Sequence, residues 1–108
     1  MAVVLIHSLV GSGDEVERMV GAVVNVWTTH ADAYNRSASN LATIAADVIT
    51  VADGTDAAGS AITQAAGTTG VEVDKFGKIS FWAEEDTIYY LNSAHELFPG
   101  PLKIYPAG

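Results

Sequence analysis

The sequence predicts a single α+β domain over residues 1–108: an N-terminal strand, a long heptad-patterned helix and a C-terminal antiparallel β-meander. Three observations carry that expectation. An apolar run lies close to the N-terminus, apolar residues recur at 4-3 spacing through the middle, and the last third alternates short β-type runs with turn formers.

The strand region covers residues 1–11. Val3, Val4, Leu5 and Ile6 are consecutive apolar residues, and Gly11 and Gly13 bound them. A helix over 12–53 follows, opened by Ser12 as N-cap, Glu15 as its capping-box partner and further negative charge from Asp14 and Glu17. Along it, Val20, Val24, Trp27, Ala31, Tyr34, Ala38, Leu41, Ala45, Val48 and Ala52 are all apolar or aromatic, and the 4-3 phase never slips. That is a coiled-coil signature, with one column of large side chains and one dominated by alanine. Asp53 and Gly54 supply a C-terminal stop.

An unbroken helix of this length would run roughly 60 Å at ~1.5 Å per residue, against a radius of gyration of about 13 Å for a compact chain of this size. Its stripe must then pack against other copies. The alternative is a break near Asn35, where Asn35, Arg36, Ser37, Ser39 and Asn40 cluster. A turn normally resets heptad phase, and here the phase runs through, which favours the unbroken helix.

Residues 54–70 are rich in Ala, Gly and Thr, and read as a connector or a short helix over 57–66. Residues 71–108 read as the meander and a C-terminal arm. Val71 to Val73, Lys78 to Ala83, Thr87 to Leu91 and Leu102 to Tyr105 are the strands, and the N-terminal strand is expected to join their sheet.

Composition narrows the function. Five Lys and Arg against thirteen Asp and Glu give a formal net charge of −8. Nucleic acid is therefore not an expected partner, because binding it requires clustered cations. The absence of cysteine excludes disulfides and thiolate metal sites. No cation precedes the first apolar run, and no apolar segment reaches the ~18 residues of a membrane span, so neither a leader nor a membrane is expected.

Candidate chemistry is sparse. Val3 to Gly13 resembles the strand and oxyanion loop of α/β-hydrolases, but Ser8 stands where that family has Gly, and no G-x-S-x-G follows. Gly11-Ser12-Gly13 resembles a phosphate loop, yet Val16 replaces the required Gly, and Asp14 and Glu15 would repel a phosphate. His7, His30 and His95 fall in different elements without metal-ligand spacing; His95-Glu96 is an acid/base pair by type only. Glu84, Glu85 and Asp86 could hold a hard cation, though such a turn is more often a solvated hairpin tip. The adjacent pairs Phe81-Trp82 and Tyr89-Tyr90 must each place one ring on either face of a sheet, so both faces should be covered. No catalytic residue, cofactor or metal is expected.

The assembly signals agree better. They describe a non-enzymatic structural protein that self-associates through its helix, with the ten seam residues as the interface and a trimer favoured over a dimer. The alternative is a small ligand-binding or enzymatic α+β domain with a pocket among the C-terminal aromatics. The Ala-, Thr- and Asp-rich stretch from Ile44 through Asp53 to Gly70 resembles stretches of small tailed-bacteriophage virion proteins of the decoration, head-fibre and connector-associated kinds. The resemblance implies a particle component with other virion proteins as partners and the virion as its location; without it, the cytoplasm is expected.

Overall fold

The structure is a computed structural model that describes residues 3–9, 18–49, 56–98 and 100–105. Strand-forming sequence dominates it. The strands are β1 (Val3–Leu9), β2 (Val23–Trp27), β3 (Ala45–Ile49), β4 (Asp56–Ala61), β5 (Val71–Glu72), β6 (Lys78–Glu84), β7 (Tyr89–Ser93) and β8 (Leu102–Ile104); helix α1 (His30–Asn35) lies between β2 and β3. They form two antiparallel four-stranded sheets, ordered β1-β6-β3-β4 and β5-β2-β7-β8.

The two sheets share one core, which makes the fold a β-sandwich. Alternation along β6 sends Ile79, Phe81 and Ala83 inward from the first sheet. Val24 and Val26 of β2, Val71 of β5, and Tyr89 and Leu91 of β7 meet them from the second. Met19, Ile44 and Phe98 belong to the same buried cluster.

Helix α1 adds a partial third layer on the outer face of the second sheet. Thr29 caps it by accepting from the Asp32 N–H, and Arg36 ends it in the left-handed conformation at φ 51°. Beneath it Trp27 and Ala33 are fully buried, outside the main core. The Trp27 indole N–H donates to the Ser37 carbonyl at 2.9 Å, and the buried Asn92 amide donates to the Ala33 carbonyl at 2.7 Å.

The long helix is therefore corrected, and with it the α+β class and the coiled coil. Among the described residues no helix exceeds the six residues of α1. The 4-3 spacing arises because 49% of this chain is apolar, so a heptad template fills readily from strands and loops. Local chemistry overrides it. Val23, Val24 and Val26 are β-branched and lose side-chain freedom in a helix. Gly21 turns the chain at φ 83°, and Arg36 and Asn40 adopt positive φ within the polar cluster.

Residues 56–61 form strand β4, where the sequence suggested connector or short helix. The C-terminal strands occur where expected and β1 pairs with β6, but they are no meander: β5 and β7 join one sheet and β6 the other, leaving only β7 and β8 as consecutive neighbours. The helix cap at Ser12 and Glu15 and the stop at Asp53-Gly54 lie outside the described residues.

Candidate binding surfaces

The ten seam residues do not share a face. Val20 lies in the turn before β2 and is half exposed. Val24 points into the core, and Trp27 is buried beneath α1. Ala31 and Tyr34 are exposed on α1, Ala38 is exposed in the following loop, and Leu41 bridges back to Trp27. Ala45 and Val48 belong to β3, and Ala52 lies outside the described residues.

Two polar clusters build the second sheet's outer layer, and sequence reasoning missed both. Gln64 closes the edge of β2 as a neighbouring strand would. Its Oε1 accepts from the Val26 N–H at 2.9 Å while its Nε2 donates to the carbonyls of Val26 at 3.1 Å and Ala42 at 2.8 Å. Asn25, buried next to it, donates to the Thr69 carbonyl at 2.8 Å and accepts from the Gly67 N–H at 2.9 Å. The available signal was an amide flanked by Val24 and Val26: a polar residue inside a β-branched run must find partners.

Asp32 organises the loop after α1. Its carboxylate accepts from Ser37 Oγ at 2.6 Å, Thr29 Oγ1 at 2.5 Å and Asn40 Nδ2 at 2.7 Å. These donors, Ser37 first, lower its pKa to about 2.

An aromatic row runs over the same outer face. Tyr90 of β7 lies opposite Trp27 of β2 and Lys103 of β8, so the three share a face. The His30 ring meets Tyr90 edge-on at 5.5 Å and stacks near Tyr34 at 6.4 Å. Tyr34 is 66% exposed. Ile88 and Tyr105, also exposed, stand at the adjoining ends of β7 and β8. The Tyr105 hydroxyl donates to Asp86 Oδ1 at 3.3 Å, and the Asp86 charge raises the phenol's pKa above the ordinary value. Asp86 thus serves as an acceptor in the Glu84–Asp86 turn, and no group of metal-ligating side chains occurs among the described residues.

The first sheet carries a different feature on its outer face. Leu5, Trp82, Ala45 and Ala61 form one row across all four strands. Trp82, the partner ring to inward Phe81, donates its indole N–H to Asp47 Oδ1 at 3.1 Å. Beside it a cavity of about 290 Å³ is lined by Trp82, Glu84, Thr43, Ala45, Gly59 and Ala61, with Ile44 and Ala83 behind.

The remaining histidine described through its side chain, His95, accepts from the Leu97 N–H at Nδ1 and lies 3.1 Å from the Arg18 carbonyl at Nε2. Neighbouring Glu96 pairs instead with Arg18 at 3.5 Å, so His95 and Glu96 serve separate contacts. Of His7 only its place in β1, opposite Ser80, is described. The described residues of the stretch compared with virion proteins, 44–49 and 56–70, are strand and loop. Compared with models of known families, with curated proteins and with solved structures, the chain matches none.

Proposed function

We propose that this chain is a non-enzymatic structural module that associates with copies of itself through the aromatic outer face of the second sheet. The observation that carries the reading is the row of Tyr34, His30, Tyr90, Tyr105 and Ile88, exposed or half-exposed on one side of the molecule. Tyrosine offers large contact area for little lost freedom and is enriched at the centres of protein interfaces.

Charge favours a second copy as the occupant. A body of −8 repels its like over most of its surface. The charges this face carries among the described residues are of both signs and include Lys103 beside Tyr90, Asp86 at Tyr105, and Asp32 and Arg36 at α1. A two-fold contact must be self-complementary, and it could set Lys103 of one copy against Asp86 of the other.

The test is molar mass by size exclusion with light scattering. A mass that is a multiple of 11.3 kDa supports the reading, and 11.3 kDa at every concentration overturns it. The double substitution Tyr34→Ser with Tyr105→Ser should return the mass to that of one chain while leaving the far-ultraviolet spectrum unchanged. Phe76→Ser, at an exposed turn away from this face, should leave the multimer intact.

A further inference from the structure

The outer face of the first sheet lies across the sandwich from the association surface, and its cavity is built differently. The row Leu5, Trp82, Ala45, Ala61 changes abruptly from a large side chain to two methyl groups. That step leaves a recess beside the Trp82 ring, and Gly59 forms part of its lining. Gly59 lies opposite the register shift between Ala45 and Asp47, so close to Val48 that an added Cβ would stand 2.5 Å from Val48 Cγ2. A residue without a side chain is needed at that bulge, because Val48 and Ala46 already fill the space its side chain would take.

The chemistry of the walls is selective. Trp82 is held by its indole N–H on the Asp47 carboxylate, so the ring is fixed in orientation. Among the described residues of the lining, Glu84 supplies the charge and Thr43 the hydroxyl, and alanine and glycine supply most of the rest. An anion would meet Glu84 without a compensating cation. A sugar would find few side-chain hydrogen-bonding groups. A cation with an apolar surface would meet an aromatic ring, a carboxylate and small apolar contacts together, the groups that desolvated cation–π recognition uses.

We propose that this cavity binds the ammonium group of a small organic cation, with Trp82 as the aromatic wall, Glu84 as the counter-charge and Asp47 as the residue that positions the indole. The volume of about 290 Å³, just below the roughly 300–1,000 Å³ of drug-sized ligand pockets, suits a small ligand. The net charge of −8 concentrates cations near the surface and assists capture.

The experiment is a titration of the intact chain with choline, followed by the indole N–H resonances of its two tryptophans. The Trp82 resonance should shift saturably, while that of Trp27, buried under α1, should not move. The uncharged analogue of choline, with carbon in place of nitrogen, should bind at least about tenfold more weakly, the order of ~1.4 kcal/mol expected when a desolvated cation–π and ion contact is lost. Glu84→Gln, at a partly exposed position, should weaken choline binding about fivefold and leave the analogue unaffected. Trp82→Leu should abolish saturable binding; should that variant fail to fold, the other two comparisons decide the matter. Equal affinity for choline and its neutral analogue would overturn the proposal, as would a Trp82 resonance that does not saturate or a Glu84→Gln variant that binds choline as tightly. Association is read from mass on the opposite face, so the two readings fail independently.

Discussion

Single residues fix the outer layer of the second sheet by satisfying backbone groups that a longer β5 would have paired. β5 contributes only Val71 and Glu72, opposite Val24 and Val23, so β2 beyond Val24 needs other partners. Gln64 provides them at Val26, while the Asn25 side chain ties the 67–69 loop to the strand, and the approach is tight enough that Gly70 cannot carry a side chain. A Cβ there would stand 2.6 Å from the Val24 carbonyl and 2.8 Å from Asn25 Nδ2. Gly70→Ala must therefore move backbone or break the amide cluster. It should lower unfolding stability by about 1–3 kcal/mol, the range for overpacking at a buried site. Urea denaturation would show this as a lower midpoint at unchanged slope, and an unchanged midpoint would refute the clash. Gly67, with no atom within 4 Å of its added Cβ, would cost only the left-handed backbone penalty, ~1–2 kcal/mol. Little of this was legible in the sequence. Asn25 between two valines pointed to a buried amide, but nothing local to Gln64 or Gly70 names partners some forty residues away.

At the scale of elements, α1 and its loop form a small unit clasped by one carboxylate. Asp32 holds Thr29, Ser37 and Asn40 together, and Ser37 in turn accepts the Trp27 indole through its carbonyl. The sign of the pH effect follows from the direction of the shift. A carboxyl whose pKa falls from 3.8 to about 2 on folding stabilises the folded loop above its unfolded value, and that contribution is lost as pH falls toward 2. Hydrogen exchange at the Trp27 indole should accordingly quicken between about pH 4 and pH 2, and Asp32→Asn should remove that dependence; an identical acid profile in the variant would rule Asp32 out as the clasp. The elements show which sequence signals were reliable. Alternation in Lys78–Glu84, with Phe81 inward and Trp82 outward, gave the right strand and the right two-faced burial. The polar cluster at 35–40, outweighed by the heptad phase in favour of an unbroken helix, lies where α1 ends, with Arg36 and Asn40 in the left-handed region. The seam failed because Val24 and Val26 face the core while Trp27 faces α1, so β2 is apolar on both sides and loses its period-2 signature. Sheet membership was not legible either, since the turns before and after β6 do not state that each crosses between sheets.

For the whole molecule, neither sheet belongs to one part of the chain. β6 sits between β1 and β3, pairing Val3 with Glu84 and Ala46 with Phe81, so the first sheet is incomplete until most of the sequence is present. The second sheet takes β2 from the first half and β5, β7 and β8 from the second. A strand-helix-meander arrangement would have been modular, with an N-terminal part able to keep its helix alone. The sandwich has no such division. A fragment of residues 1–70 loses β6, which separates β1 from β3 and β4, and leaves β2 without any named strand beside it. Val24 and Val26 would then lose the facing residues Ile79 and Phe81 and the neighbouring Leu91 of β7. The fragment should show a disordered far-ultraviolet spectrum and no cooperative thermal transition, and adding the peptide 71–108 should restore both strand signal and cooperativity. A cooperative transition in the fragment alone would sink this account of the fold. The intact chain should fold in the ~ms–s range typical of sheets built from distant strands, because β1 waits for a partner some eighty residues away before its hydrogen bonds and apolar contacts offset the entropy of closing that loop.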